Sequence, residues 1–212
     1  MRVNTEKHIA EIDIEEYFLP VFDSSENAKA FVKSARENQK ARIVIHQCAR
    51  MLYLADKVCQ RGRPALDVLF FMIIAEATAK IIYDFQDQGK SKEYTYKFFK
   101  DICDESHKAR LSTAFRKQTE ESDFVADNYL TLDETIELLY GVRCDVVHRG
   151  KYFDNLWLKE KNGDDNTLFA WKNLQFVSPN ISANELRNIM LEGVVHGCQR
   201  ELRDASQNDA SR

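Results

Sequence analysis

Arg143 and His148 are the two side chains in this sequence whose type and placement point to chemistry. At about 100° per residue, a helix from Leu132 puts Leu132, Ile136, Leu139, Val146 and Val147 in one apolar arc, with Arg143 near its middle. A guanidinium turned into an apolar seam must meet a carboxylate, a partner subunit or a bound anion, because burying its charge alone is too costly. His148 follows five residues later, roughly 140° around the helix and about 7.5 Å along it. The negative end of a helix attracts a cation there, and imidazole is the side chain suited to moving protons near neutral pH. The alternative for His148 is a surface or capping role.

Glu76 poses the opposite problem, since it shares a face with Leu69, Met72, Ile73 and Tyr83. Two structural pairings are open: an Arg143–Glu76 bridge that fixes two helices, or a Glu76–Lys80 pair one turn apart. Asp145 likewise has two roles open to it. It can orient His148 from three residues away, or form a solvated pair with Arg149.

The elements that must position these residues are helical. Only 7 Gly and 3 Pro occur in 212 residues, and 44% of the chain is apolar, enough for a core in one mainly α domain. The stretch from Ser25 to Arg61 lacks internal Gly and Pro and reads as one long helix, with Gly62 as a stop and Pro64 as the start of the next. The second helix, roughly Pro64 to Phe85, is apolar on almost every side and is expected at the centre. Asp87 to Lys92 breaks it, and YTYKFFKDIC and SHKARLSTAFRK read as shorter helices. Thr131-Leu-Asp-Glu134 is a capping box that opens the helix carrying Arg143, and Gly150 closes it. NLWLKEK and TLFAWKN, around Asn162-Gly-Asp-Asp-Asn166, read as a β-hairpin over about 155–173. Ser182-Ala-Asn-Glu185 opens a last helix, through Leu186, Ile189, Met190, Val194 and Cys198 to about 204, before a fraying polar tail.

Composition bounds the setting. Cys48, Cys59, Cys103, Cys144 and Cys198 are scattered, odd in number and without zinc spacing, which implies a reducing compartment and no metal centre. No apolar leader opens MRVNTEKHIAEIDIEEYF, and Glu76 and Lys80 interrupt VLFFMIIAEATAKIIYDF, so a cytoplasmic chain with no membrane partner is expected. The net charge of −4 argues against a wholly basic DNA-reading surface. Charge is nonetheless segregated: residues 11–26 hold Glu11, Asp13, Glu15, Glu16, Asp23 and Glu26, whereas Arg36, Lys40, Arg42, Arg50, Lys57, Arg61 and Arg63 follow. That run is either a solvated helix face or a guide for a phosphate backbone. His8, His46, His107 and His196 stand alone and read as structural or exposed. No phosphate-cradling glycine loop, HExxH or GxSxG occurs.

Arg143-Cys-Asp-Val-Val-His148, within LLYGVRCDVVHRG, resembles the R-x4–6-H signature of the HEPN superfamily of helical domains. The long first helix, the apolar second helix with its AEATAK step and the late motif before a glycine also look like that bundle, over about residues 25–152 and the final helix. The resemblance implies an up-and-down helical bundle with the hairpin inserted before the last helix. It also implies a metal-independent endoribonuclease without cofactors, toxin-like or defence-related, in which two protomers bring two motifs to a shared cleft. Arg143 is then the phosphate and transition-state stabiliser and His148 the general base or acid, with Asp145, Glu76 and Tyr140 supporting them. RNA, a second copy of the chain and an antitoxin or other protein are the implied partners. Cys144 stands where the family commonly has Asn or Asp. Gly150 stands where some HEPN toxins carry a modified tyrosine, the nearest here being Tyr152, so control by such modification is not expected. The alternative is a non-catalytic HEPN-like bundle, holding a nucleotide or a protein, with Arg143 as a buried strut.

Overall fold

The computed structural model describes residues 13–58, 64–85, 89–117, 128–151, 169–171 and 175–210. The described elements in chain order are α1 (Ile14–Phe18), α2 (Ser25–Glu37), α3 (Gln39–Val58), α4 (Pro64–Ile82), α5 (Ser91–Lys97), α6 (Glu105–Leu111), β1 (Phe115–Lys117), α7 (Leu132–Arg149), β2 (Phe169–Trp171), β3 (Gln175–Pro179) and α8 (Ala183–Ala210). A 3-10 turn over Leu19–Val21 follows α1, and a π-helical turn over Phe98–Ile102 follows α5. The protein is thus mainly helical, with one small antiparallel sheet.

Helix α4 lies at the centre, packed against α3, α5, α7 and α8. Val68, Phe71, Met72, Ile74, Ala75 and Ala79 are buried, as a helix apolar on nearly every side requires. Helix α8 approaches closely through two small residues. A Cβ added at Gly193 would lie 2.7 Å from the Phe98 ring, and one at Gly197 would lie 2.7 Å from Ile82 Cδ1. Leu186, Ile189, Met190, Val194 and Cys198 of this helix are all buried.

Four expectations are corrected. The first long helix is broken at Asn38, whose backbone is extended (φ −99°, ψ 129°). Its Oδ1 accepts from the Ala41 N–H at 3.0 Å and caps α3, an alternative that a short carboxamide offers the backbone. Helix α6 stops at Leu111, and Phe115–Lys117 form a strand instead. The Ser112 and Thr113 hydroxyls donate to the carbonyls of Lys108 and Arg110, while the Ala114 carbonyl accepts from Asn180 N–H. The sheet has order β1-β3-β2, with Arg116 opposite Ser178 and Ala170 opposite Phe176. The described partner of Phe169–Trp171 is therefore Gln175–Pro179, and the expected hairpin arm at 155–161 lies outside the described residues. Lastly, α8 continues to Ala210, beyond the expected end near 204.

Helix α7 has the expected bounds. Thr131 Oγ1 accepts from the Glu134 N–H while Glu134 Oε2 accepts from the Thr131 N–H at 2.8 Å, completing the capping box. Gly150 ends the helix in the left-handed conformation (φ 63°) that glycine adopts without a Cβ penalty. No helix among the described residues is long and apolar enough to cross a membrane.

Candidate functional site

The buried side of α7 is formed by Thr135, Ile136, Leu138, Leu139 and Val142. That places Arg143 at the edge of the apolar arc, its side chain 17% exposed, and Val147 outside it at 52% exposure. The expected arc is therefore corrected at Arg143, which lies at its edge and not near its middle, and at Val147, because the buried face is centred further round the helix and the last turn stands clear of the core.

Arg143 meets Glu76 across the α4–α7 contact: its Nη2 donates to Glu76 Oε2 at 3.3 Å. The other carboxylate oxygen accepts from Ser91 Oγ at 2.7 Å, so the first residue of α5 steadies the acid. The guanidinium carbon also lies 5.5 Å from the centre of the Tyr140 ring, one helical turn below, within cation–π range. Burial, followed by the neighbouring Cys144 thiol, raises the Tyr140 phenol above its ordinary value in spite of Arg143, keeping the proton on that oxygen. These contacts leave part of Arg143 unused. Its Nε is buried and has no hydrogen-bond partner.

Arg143 and Glu76 form part of the wall of an open cavity of about 670 Å³, between α3, α4 and α7. Ile43, Ile73 and Ile81 supply apolar wall, and Lys80 and Lys40 add cations. Lys40 is committed elsewhere: its Nζ lies 2.6 Å from Asp84 and 3.6 Å from Glu201 and donates to the Ile82 carbonyl. Burial opposes its charge, but Asp84 and Glu201 outweigh burial and raise its pKa. The Lys80 side chain has no hydrogen bond or ion pair among the described residues. The Glu76–Lys80 alternative is thereby displaced by the Arg143–Glu76 bridge.

His148 is exposed in the last turn of α7, and its side chain makes no hydrogen bond or ion pair among the described residues. The nearby carbonyls of Val146 and Asp145 accept from Gly150 and Lys151 N–H groups, so His148 does not cap them. Asp145 pairs with Arg149 at 3.1 Å rather than with His148. The structure thus brings Arg143, Glu76 and Tyr140 together, while Asp145 and His148 stand apart on the same helix. Within one chain, Arg143 alone of the two motif residues contributes to the cavity wall.

Sequence reasoning missed Ser91 as the second ligand of Glu76, and Ile43 and Gln47 as cavity wall. A serine opening a helix was the available signal for the first; the others required knowing how α3 crosses α4. Cys48, Cys103 and Cys198 are buried, and burial drives each thiol upward, that of Cys198 to about 12. Cys144 is partly exposed. His107 is held between Glu192, at Nε2, and Asp104, 3.1 Å from Nδ1. Among the described residues no group of three or more His, Cys, Asp and Glu side chains is placed to hold a metal ion. No family model, curated protein or solved structure matches this chain.

Proposed function

We propose that this chain is a HEPN-like endoribonuclease that works as a homodimer, without metal, at a cleft to which two α7 helices contribute. The observation that carries the reading is the state of Arg143: a half-buried guanidinium on a cavity wall, held by one carboxylate through one nitrogen, with an unmet Nε donor. An anion in the cavity meets that charge at the edge of the guanidinium that Glu76 does not occupy. In RNA cleavage the 2′-hydroxyl attacks the adjacent phosphorus as the bond to the 5′-oxygen breaks. Arg143 offsets the negative charge growing on the phosphoryl oxygens, and His148 takes the hydroxyl proton or returns one to the leaving oxygen. Glu76, Ser91 and Tyr140 hold the guanidinium in place. His148 is free to reach a second protomer.

The test uses purified protein and labelled RNA in a chelating buffer. His148→Ala and Arg143→Ala are each expected to reduce cleavage by about a hundredfold or more. Equal cutting by wild type and both variants rejects the assigned roles. The Arg143–Glu76 bridge favours a second reading, a non-catalytic bundle in which Arg143 is a strut. That reading requires Arg143→Ala to lower the melting temperature while His148→Ala changes nothing.

A further inference from the structure

Arg42, His46 and Arg50 occupy successive i, i+4 positions on α3, and all three are exposed. Their Cα atoms rise about 6 Å per step along the axis, comparable with the advance between phosphates along a single nucleic-acid strand. Arg36, in the last turn of α2, adds its charge to the same surface. None of the three arginine side chains makes a hydrogen bond or ion pair among the described residues. The sole acid on α3, Asp56, is taken by Arg187, whose two terminal nitrogens donate to it at 2.7 and 3.3 Å. Like charges one turn apart destabilise a helix, and no ion pair among the described residues offsets them here.

The row does not stand alone. Arg50 borders a second cavity of about 230 Å³ that shares Gln47, Ile73 and Ala77 with the larger one. A trough therefore runs from Arg50 to Lys80 and Arg143, with apolar wall along its length. A duplex hides its base faces and has no use for such a wall, whereas an unpaired strand exposes them.

We infer that α3 is a binding track for single-stranded RNA, with Arg42, His46 and Arg50 on successive phosphates and the bases turned into the trough that leads to Lys80 and Arg143. The identity of the polymer rests on the ribonuclease reading above. The track also couples binding to pH. Partial burial and then the charges of Arg36, Arg42 and Arg50 hold the His46 imidazole below its ordinary value. A phosphate laid on the row cancels that repulsion, so binding takes up a proton and tightens as pH falls through the histidine range.

The experiment measures anisotropy of a labelled 2′-O-methyl oligoribonucleotide, which binds but lacks the attacking hydroxyl, so binding is read apart from cleavage. Arg42→Ala/Arg50→Ala is expected to weaken binding roughly tenfold and to flatten the slope of log K against log salt by about 1.4, the single-strand value for two lost phosphate contacts. Arg42→Lys/Arg50→Lys retains the slope, and His46→Gln removes the tightening between about pH 8 and pH 6. Unchanged affinity and slope in the double alanine variant overturns the track. A duplex binding as tightly as the single strand, or polyglutamate displacing the strand equally well, overturns it too. If the variants behave as expected but natural RNA is never cut, the track stands and the ribonuclease reading falls. If RNA is cut at a rate indifferent to Arg42 and Arg50, the reverse holds.

Discussion

Arg143 uses one nitrogen on Glu76 and leaves Nε unmet, so the bridge is incomplete as a structural device. A strut selected only for packing would be expected to close both sides of the fork, because bidentate carboxylate pairing is the stronger geometry. Glu76→Gln separates the two uses of the bridge. It preserves the side chain's shape and its acceptance from Ser91, and is expected to cost about 1 kcal/mol in denaturant unfolding, as for a pair between exposed and buried. If the guanidinium serves an anion, the same substitution tightens binding of uncleavable RNA by releasing Arg143 from its carboxylate. Lost stability with no gain in affinity would make the bridge structural alone. That Arg143 and Glu76 both need partners is readable from helical spacing, since both charges lie in apolar stripes; the choice between the Arg143–Glu76 and Glu76–Lys80 pairings is not. Tyr140, three residues before Arg143 on the same helix, is readable as its neighbour, whereas Ser91 was not readable as a partner, because its place depends on how α5 lies against α4.

At the scale of elements, the ends of α7 are legible because they are written locally. Thr131, Glu134 and Gly150 carry the chemistry of start and stop within a few residues. The break at Asn38 was written locally too, but a single capping asparagine inside a long helix-compatible run is a weak signal against its neighbours. The strand at Phe115–Lys117 was not local at all. It exists because β3 arrives beside it from 60 residues further on, bringing Ser178 opposite Arg116. Helix α8 makes a specific demand at Gly193, where a methyl group would strike both the Phe98 ring and Cys103 Sγ, at 2.7 and 2.8 Å. Gly193→Ala is therefore expected to cost about 1–3 kcal/mol by overpacking, although alanine is the better helix former. A calorimetric melting temperature equal to or above that of wild type would show that the π-helical turn yields at no cost.

For the whole molecule, the sequence shows acid gathered over residues 11–26 and base over residues 36–63, and the structure sorts the basic run into different duties. Lys40 is bound to Asp84 and Glu201, and Lys57 sits 5.4 Å from the Tyr53 ring, leaving Arg36, Arg42 and Arg50 toward solvent. Composition cannot make that distinction, because it depends on which acids other helices bring near. The proposed dimer also has its test at this scale. If each cleft joins Arg143 of one protomer to His148 of its partner, mixing Arg143→Ala protein with His148→Ala protein after subunit exchange restores about a quarter of wild-type cleavage, since half the dimers then carry one intact cleft of two. No restoration would mean that both side chains act from a single chain.

The uneven burial of the cysteines has a practical side. A maleimide dye offered to the folded protein finds Cys48, Cys103 and Cys198 screened by the core, while Cys144 lies within reach of solvent and immediately beside Arg143. Among the described residues, the chain thus supplies a natural conjugation point where a fluorophore can signal whatever enters or leaves the neighbouring trough.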